Sequence, residues 1–362
     1  MQHQAAADAV ILIPSLEPDE RLPVYIGHLL NSGFTRAVIV DDGSAESYQP
    51  IFKSIEAMDG ATVLHHEVNR GKGVALKTGY RYILENMPEV SGVITADSDG
   101  QHTVKDCIRL AEKLEENKEA LYLGSRNFGK GNVPFRSSFG NRFTSVLFML
   151  LYGPWLPDTQ TGLRAFRREE LAFMAEIEGE RFEYEMNVLI ACARRNIPMI
   201  PVEIETIYEN DNKGSHFHPL KDSLHILRVL AGGFFKFMGS SLICFVIDQV
   251  LAGLLREWLL PLAGLSRGSL WNANVSGWGA RIVSAVINFR LNKDLVFKLK
   301  GNVGQAALRY AGVCAVIICL SNLGVWGLEK IGMTGWLAKV LMDASLYFLS
   351  YRLQDRWVFK ET

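Results

Sequence analysis

Asp97 and Asp99 stand one residue apart where an apolar run ends, in the stretch SGVITADSDGQHT (91–103). On an extended segment, residues two apart point to the same side. Both carboxylates can then approach one divalent cation, with Gln101 as a further oxygen donor. Mg2+ or Mn2+ held by one or two carboxylates is the usual partner of a phosphorylated substrate. A strand-to-helix turn capped by Asp or Ser would use the same residues, and that reading stands beside the first. A calcium loop of the EF-hand type does not. Counted from Asp97, its sixth and twelfth positions require Gly and Glu, and the chain has His102 and Ile108 there.

Other polar residues gather in short clusters. Pro14–Glu17, Asp41–Ser44 and Ser125–Arg126 each follow an apolar run. Asp42 can accept hydrogen bonds from a nucleobase or ribose. NRGKGVALKTG (69–79) sets Lys72 among glycines at a helix start, which suits an anion, although the spacing is not that of a P-loop. Arg126, Arg136, Arg142 and Arg164 supply guanidinium groups, whose planar fork fits phosphate. Lys213, His216 and His218 can reach a phosphate as well. As zinc ligands, His216 and His218 lack a third partner at suitable spacing.

These clusters need a frame that brings them together. AVILIP (9–14), AVIVDDG (37–43), TVLHH (62–66), SGVITAD (91–97) and ALYLGSR (120–126) read as strands. Helical stretches fall between them, at about 19–31, 47–58, from Lys72, and at 104–117. Continuous apolar runs alternating with helices predict a mostly parallel, Rossmann-like α/β sheet covered on both faces. Ligands of such sheets lie beyond the carboxyl ends of the strands, where the polar clusters fall.

Beyond residue 230 the character changes. Apolar runs at 232–255, 274–289, 306–328 and 335–351 approach the roughly 20 residues that cross a hydrocarbon core of about 30 Å. They predict an all-α domain of four transmembrane helices. NFRLNKDLVF (288–297) aligns without gaps with SYRLQDRWVF (350–359), and KFMG (236–239) resembles RYAG (309–312), so a helical hairpin is used twice. Arg290, Lys293, Lys298 and Lys300 follow the second span, and Arg352, Arg356 and Lys360 the fourth, which places both termini in the cytoplasm. Asp248, Arg281 and Asp343 fall within spans, where ionisable groups are costly and are candidates for function. Arg281 and Asp343 occupy matching places in the two repeats with opposite charge. An ion pair between them and a headgroup path are the two readings. Leu220, Leu224, Leu227 and Leu230, fringed by Lys221, His225 and Arg228, make 219–231 an amphipathic helix at the membrane surface.

Composition narrows the rest. A formal charge of −1 gives no nucleic-acid footprint among 362 residues. Five cysteines without a CxxC pair read as free thiols. The opening MQHQAAADAV lacks the basic and apolar parts of a cleaved signal, so the first half is expected in the cytoplasm.

VDDGS, NRGKGVALKTG, DSDGQH, GSR and DTQTGLRAF occur in the order and spacing of glycosyltransferase family 2. Over about residues 8–230 the chain resembles the polyprenyl-phosphate branch of that family, the dolichol-phosphate mannose synthase-like enzymes. The remainder resembles the GtrA family of membrane proteins. The resemblance implies a GT-A fold and a metal-dependent hexosyltransferase using Mg2+ or Mn2+. It implies inverting transfer from a nucleotide sugar to a polyprenyl phosphate, undecaprenyl or dolichyl, giving a lipid-linked sugar for cell-envelope or glycan assembly. Carried over by position, Asp42 contacts the nucleotide, and Asp97, Asp99 and Gln101 bind metal and diphosphate. Arg126 holds a phosphate, and Asp158 and Arg164 line the acceptor side. The chain departs from many relatives at Leu16 and Glu17, where those carry a Tyr-Asn pair. A lipid phosphate is already anionic near neutral pH, so no general base is required of the site.

The expected sets follow. Asp97, Asp99, Asp158, Arg126 and Arg164 serve catalysis, and Pro14, Asp41, Asp42, Lys72 and Asp97 the nucleotide. Arg126, Arg142, Arg164, Lys213 and His216 take the acceptor phosphate, and Asp97, Asp99 and Gln101 the metal. The domain plan is a cytoplasmic GT-A domain at 1–218, the surface helix at 219–231 and a four-span, GtrA-like domain at 232–362. The protein is expected in the inner membrane as a multi-pass enzyme, with homo-oligomer formation left open. The rival readings are transfer to another lipid, such as diacylglycerol, and a nucleotide-sugar-binding scaffold or lipid-sugar flippase without turnover.

Overall fold

Apolar residues at every position, rather than at every second one, mark β1 (Ala9–Ser15), and all seven of its residues are buried. A strand of this kind must be covered on both faces. In the computed structural model, which describes residues 6–116, 119–126, 135–205, 219–267, 269–299 and 301–359, it lies third in a seven-stranded sheet. The other strands are β2 (Arg36–Asp41), β3 (Ala61–His65), β4 (Gly92–Thr95), β5 (Leu121–Arg126), β6 (Arg164–Arg167) and β7 (Met199–Ile204), in the order β3-β2-β1-β4-β6-β5-β7. β1 runs parallel to β2 and β4, β2 to β3, and β5 to β7.

On one face, α1 (Arg21–Asn31) and α4 (Val104–Glu116) bury Leu22, Ile26, Leu29, Cys107 and Leu110 in one core with Ile11 and Ile13. α3 (Lys72–Asn86) lies against Leu12, which points the other way. A Cβ on Gly79 would sit 2.3 Å from a Leu12 methyl carbon, so the glycine sets how closely this helix approaches. The remaining helices of this part are α2 (Gln49–Glu56), α5 (Phe135–Tyr152), α6 (Leu171–Glu176) and α7 (Glu183–Arg195). The sheet is mostly parallel, as expected, with one exception. β6 is antiparallel to both β4 and β5. Its first residue, Arg164, therefore lies at the edge where β1, β2, β4 and β5 end, and the segment 158–163 is delivered to that edge.

The chain divides into two units, Met1–Leu230 and Ala231–Thr362. The boundary falls inside α8 (Pro219–Leu254), one continuous helix of 36 residues. Residues 219–231, read from sequence as a separate surface helix, are the first turns of this element. At 1.5 Å per residue α8 is about 54 Å long, well beyond the ~30 Å of a hydrocarbon core. The second unit continues with α9 (Leu270–Leu291), α10 (Val303–Lys330) and α11 (Gly335–Leu353). Among the described residues, Leu224–Leu262 and Val303–Lys330 are long and apolar enough to cross a membrane.

The internal repeat is visible in the second unit as geometry. Both copies end in a π-helical turn, Asn292–Val296 and Gln354–Val358. The matching residues meet: Asn292 Nδ2 donates to Gln354 Oε1 at 3.0 Å, and the rings of Phe297 and Phe359 stack at 4.9 Å. One expectation is corrected. Arg281 does not pair with Asp343. Its guanidinium lies 3.5 Å from Asp248, which also accepts from Ser284 Oγ at 3.1 Å. Asp343 instead accepts from Lys339 Nζ at 2.9 Å and Ser321 Oγ at 2.7 Å. A lysine four residues away on the same helix and a serine on its hairpin partner are nearer than the other repeat.

Candidate active site

The carboxyl ends of β1, β2 and β4, with the start of α3 and the approach to α7, enclose a cleft of about 1380 Å³. Pro14, Asp42, Lys72, Asp97 and Asp99 of the expected site residues line it. Arg126, Arg142, Asp158 and Arg164 are not in its lining. Lys213 and His216 lie outside the described residues, as does His218.

Asp97 is held from three sides. Lys72 Nζ donates to Oδ1 at 2.7 Å, and His102 Nε2 lies 3.1 Å from Oδ2. On the third side is Gly162, where a Cβ would come within 2.5 Å of both carboxylate oxygens. Burial pushes the Asp97 carboxyl up, but the Lys72 ammonium and His102 more than offset this and hold it well below the carboxylate range. Asp99 behaves oppositely, raised by burial and then by the charge of Asp97. Gly100 turns the chain at φ +73°, and the Gln101 N–H donates to Asp99 Oδ1 at 3.0 Å. The turn reading and the two-carboxylate reading of this stretch therefore describe the same residues.

These donors fit a divalent ion. Both are hard oxygen ligands, and their mutual repulsion is what a nearby cation would relieve. Among the described residues no group of three or more His, Cys, Asp or Glu could hold a metal. A Mg2+ or Mn2+ here would rest on Asp97 and Asp99, with substrate oxygens and water completing its shell.

Lys72 opens α3 after Gly71, whose φ is +98°. The glycines of this segment answer to packing rather than to phosphate. A Cβ on Gly71 would lie 2.4 Å from the Glu180 carbonyl oxygen, and one on Gly73 2.6 Å from Tyr184 Cβ. The Lys72 ammonium also lies 3.0 Å from Glu185 on α7, with its side chain only 17% exposed. Burial lowers the affinity of this amine for its proton, but Asp97 and Glu185 outweigh that and hold it above the usual lysine range. Glu185 was not anticipated. The signal available was a carboxylate among the apolar residues of EYEMNVLIA, a residue that burial would oblige to find a cation.

Asp41 and Asp42 are buried and already engaged. Asp42 accepts from the backbone N–H of Arg70 at 3.0 Å and of Gly71 at 2.7 Å, with His66 Nδ1 at 2.7 Å. It thereby pins the loop that leads to Lys72. Asp41 accepts from Ser44 N–H at 2.9 Å and Gln49 at 3.1 Å, with His65 Nδ1 at 2.9 Å. Burial raises its carboxyl, and these bonds more than reverse the effect.

On the far side of the edge, Arg126 and Asp158 form a two-point pair at 2.7 and 3.1 Å, with the Asp158 side chain fully buried. Arg164 is 4% exposed. It donates to the carbonyls of Thr161 at 3.0 Å and Glu185 at 2.8 Å, and its second terminal nitrogen is buried without a hydrogen bond. It braces α7 from beneath. Arg142 is exposed on α5.

Residues 11–172 match the family described as Glycosyl transferase family 2, and residues 237–359 match the GtrA/DPMS, transmembrane domain. The UDP-N-acetylglucosamine–dolichyl-phosphate N-acetylglucosaminyltransferase of Methanococcus voltae is 27% identical over 215 residues, covering 55% of this chain and 85% of that one. The undecaprenyl-phosphate mannosyltransferase of Micrococcus luteus is 27% identical over 200 residues, covering 53% and 81%. Among solved structures, a glucosyl-3-phosphoglycerate synthase from Mycobacterium tuberculosis overlays with a TM-score of 0.46 at 17% identity, covering 64% of this chain and 82% of that one.

Proposed function

From a chain that joins a family 2 glycosyltransferase domain to a GtrA/DPMS transmembrane domain, we propose an enzyme that transfers a sugar from a nucleotide sugar to a polyprenyl phosphate. That pairing in one chain is the observation that carries the reading. A soluble donor and an acceptor confined to the bilayer require a catalytic domain tethered at the membrane. The relatives named as dolichyl- and undecaprenyl-phosphate transferases support the acceptor class.

In this reading the GT-A domain and both termini face the cytoplasm, and α8 to α11 supply four spans. The nucleotide diphosphate enters the cleft beside Lys72. Asp97 and Asp99 would hold a Mg2+ or Mn2+, which would supply charge neutralisation for the departing diphosphate. Asp42 acts through the loop it pins. Arg126, held in place by Asp158, brings its guanidinium charge to the acceptor phosphate. That phosphate attacks the anomeric carbon with inversion, and no proton need be removed from it.

The test incubates the full-length protein with a panel of nucleotide sugars, undecaprenyl phosphate, diacylglycerol and Mg2+ or Mn2+, and analyses the lipids by mass spectrometry. A polyprenyl-phosphate hexose is expected. Lipid left unmodified by every donor, or sugar appearing only on diacylglycerol, would overturn the acceptor assignment.

A further inference from the structure

We propose that Lys72 is a built-in competitor for the metal carboxylate: it occupies Asp97 until a nucleotide diphosphate draws its ammonium away, so that nucleotide and divalent metal bind only weakly without each other. The inference rests on the sugar-transfer reading and adds an order to it.

The geometry carries it. The Lys72 ammonium spans Asp97 Oδ1 at 2.7 Å and Glu185 Oε1 at 3.0 Å. The second oxygen of Asp97 is 3.1 Å from His102, and Gly162 closes another side of the carboxylate. A divalent cation approaching Asp97 therefore meets a fixed positive charge already seated on it. Like charges this close in a partly desolvated cleft oppose each other strongly. The backbone of Lys72 cannot retreat, because Gly71 and Gly73 are packed against Glu180 and Tyr184. The side chain can, since a lysine stem has four rotatable carbons and its ammonium accepts any geometry. Lys72 also faces the cleft at the first turn of a 15-residue helix, where an incoming diphosphate is attracted by the same helix end.

Exchange then proceeds without a net loss of partners. The ammonium moves from Asp97 to the diphosphate while Glu185 keeps hold of it, and Asp97 is released to act as a metal ligand. By linkage, each ligand must strengthen the other by the same factor. Glu185 is a positioning residue in this scheme: it holds Lys72 at the mouth of the cleft through the exchange.

The test measures free Mn2+ by electron paramagnetic resonance in titrations of the detergent-solubilised full-length protein, with and without UDP or GDP. Binding of Mn2+ to nucleotide in solution is subtracted using Asp97→Asn. The wild type should bind Mn2+ at least tenfold tighter when the preferred nucleotide is present. Lys72→Met should bind Mn2+ at least tenfold tighter than wild type without nucleotide, and nucleotide should then add less than threefold. Glu185→Gln, which leaves the ammonium leaning more fully on Asp97, should weaken nucleotide-free Mn2+ binding. Equal affinity of the wild type with and without nucleotide would overturn the proposal by itself, even if Lys72→Met did not fold. So would a Lys72→Met protein with wild-type coupling. Lipid-linked sugar formed by a protein lacking this coupling would sink the Lys72 inference and leave the transfer reading standing. Coupling without any lipid product would do the reverse.

Discussion

Asp97, Lys72, His102 and Glu185 in the first unit are drawn from three segments, with Lys72 and Asp97 joined across 25 residues. Asn292 and Gln354 in the second unit are the same position of a repeated hairpin, meeting across their seam. Both regions remove polar groups from water, but they differ in what is left over. Asn292 donates to Asn288 and Gln354 and receives Ser240 Oγ at 2.6 Å, so its amide is saturated. In the cleft, the Lys72 ammonium sits between the carboxylates of Asp97 and Glu185, beside open space. A saturated network fixes structure, whereas a charged one at a cleft mouth can trade a protein partner for a ligand.

The sharpest test of this contrast is Asp97→Asn. It should cut lipid glycosylation by about 10³-fold or more, as expected when a charged ligand of the transition-state cation is lost. Circular dichroism should be unchanged. Turnover within tenfold of wild type would place Asp97 on the structural side of the comparison.

Gly162→Ala probes the same carboxylate without altering a charge. The added methyl falls 2.5 Å from both oxygens of Asp97, and the displacement should cost about 10² in kcat. Its melting temperature should move little, because the atoms displaced belong to the Asp97 carboxylate, which lines the cleft.

Arg126→Lys addresses a pair that is both structural and catalytic. Lysine keeps the charge beside buried Asp158 but loses the fork, so we expect a loss of about 1–3 kcal/mol in stability together with reduced turnover. Loss of turnover with unchanged thermal stability would mark the pair as purely catalytic.

In the second unit, Arg281→Ala should cost about 1 kcal/mol, since Asp248 is buried while its partner is largely exposed. Adding Asp248→Asn should restore the loss, and Asp343→Ala should not. Rescue through Asp343 instead would reinstate the pairing across the repeats.

The smallest effect is the pH response of His65 and Asp41. Burial lowers the His65 affinity for its proton, but Asp41 and Glu56 raise it by more, so its folded value lies above the usual one. Its contribution is full below about pH 6.5 and is lost as pH rises through the folded value. Asp41 has the opposite sign, contributing above about pH 3.9 and losing this as pH falls through its lowered folded value. The pair should thus be strongest between these limits, by less than about 1 kcal/mol because His65 is partly exposed. His65→Gln should flatten a plot of melting temperature against pH over that range. An unchanged slope would remove the pair from the account.

The strands of the first unit were legible because each is a continuous apolar run, a pattern that burial on both faces imposes residue by residue. β1 and β4 fall within a residue or two of their predicted spans. The apolar runs after residue 230 also fall within helices, although α8 begins thirteen residues before its run, and the hairpin repeat is a copy in the sequence itself. Asp97 and Asp99 were picked out by a two-residue spacing read as extended chain; both line the cleft, but through the turn that follows β4. The partners were not. Nothing local to Arg164 says that β6 runs backwards, yet that reversal brings Gly162 against Asp97 and buries the arginine. Glu185 and Lys72 are separated by more than a hundred residues, and Asp42 spends its carboxylate on a loop rather than facing outward as a lone acceptor. Local sequence determines what a segment buries, because burial acts on each side chain in its own element. Which charge meets which is decided by strand order and helix approach, because electrostatic partners are chosen by distance in space.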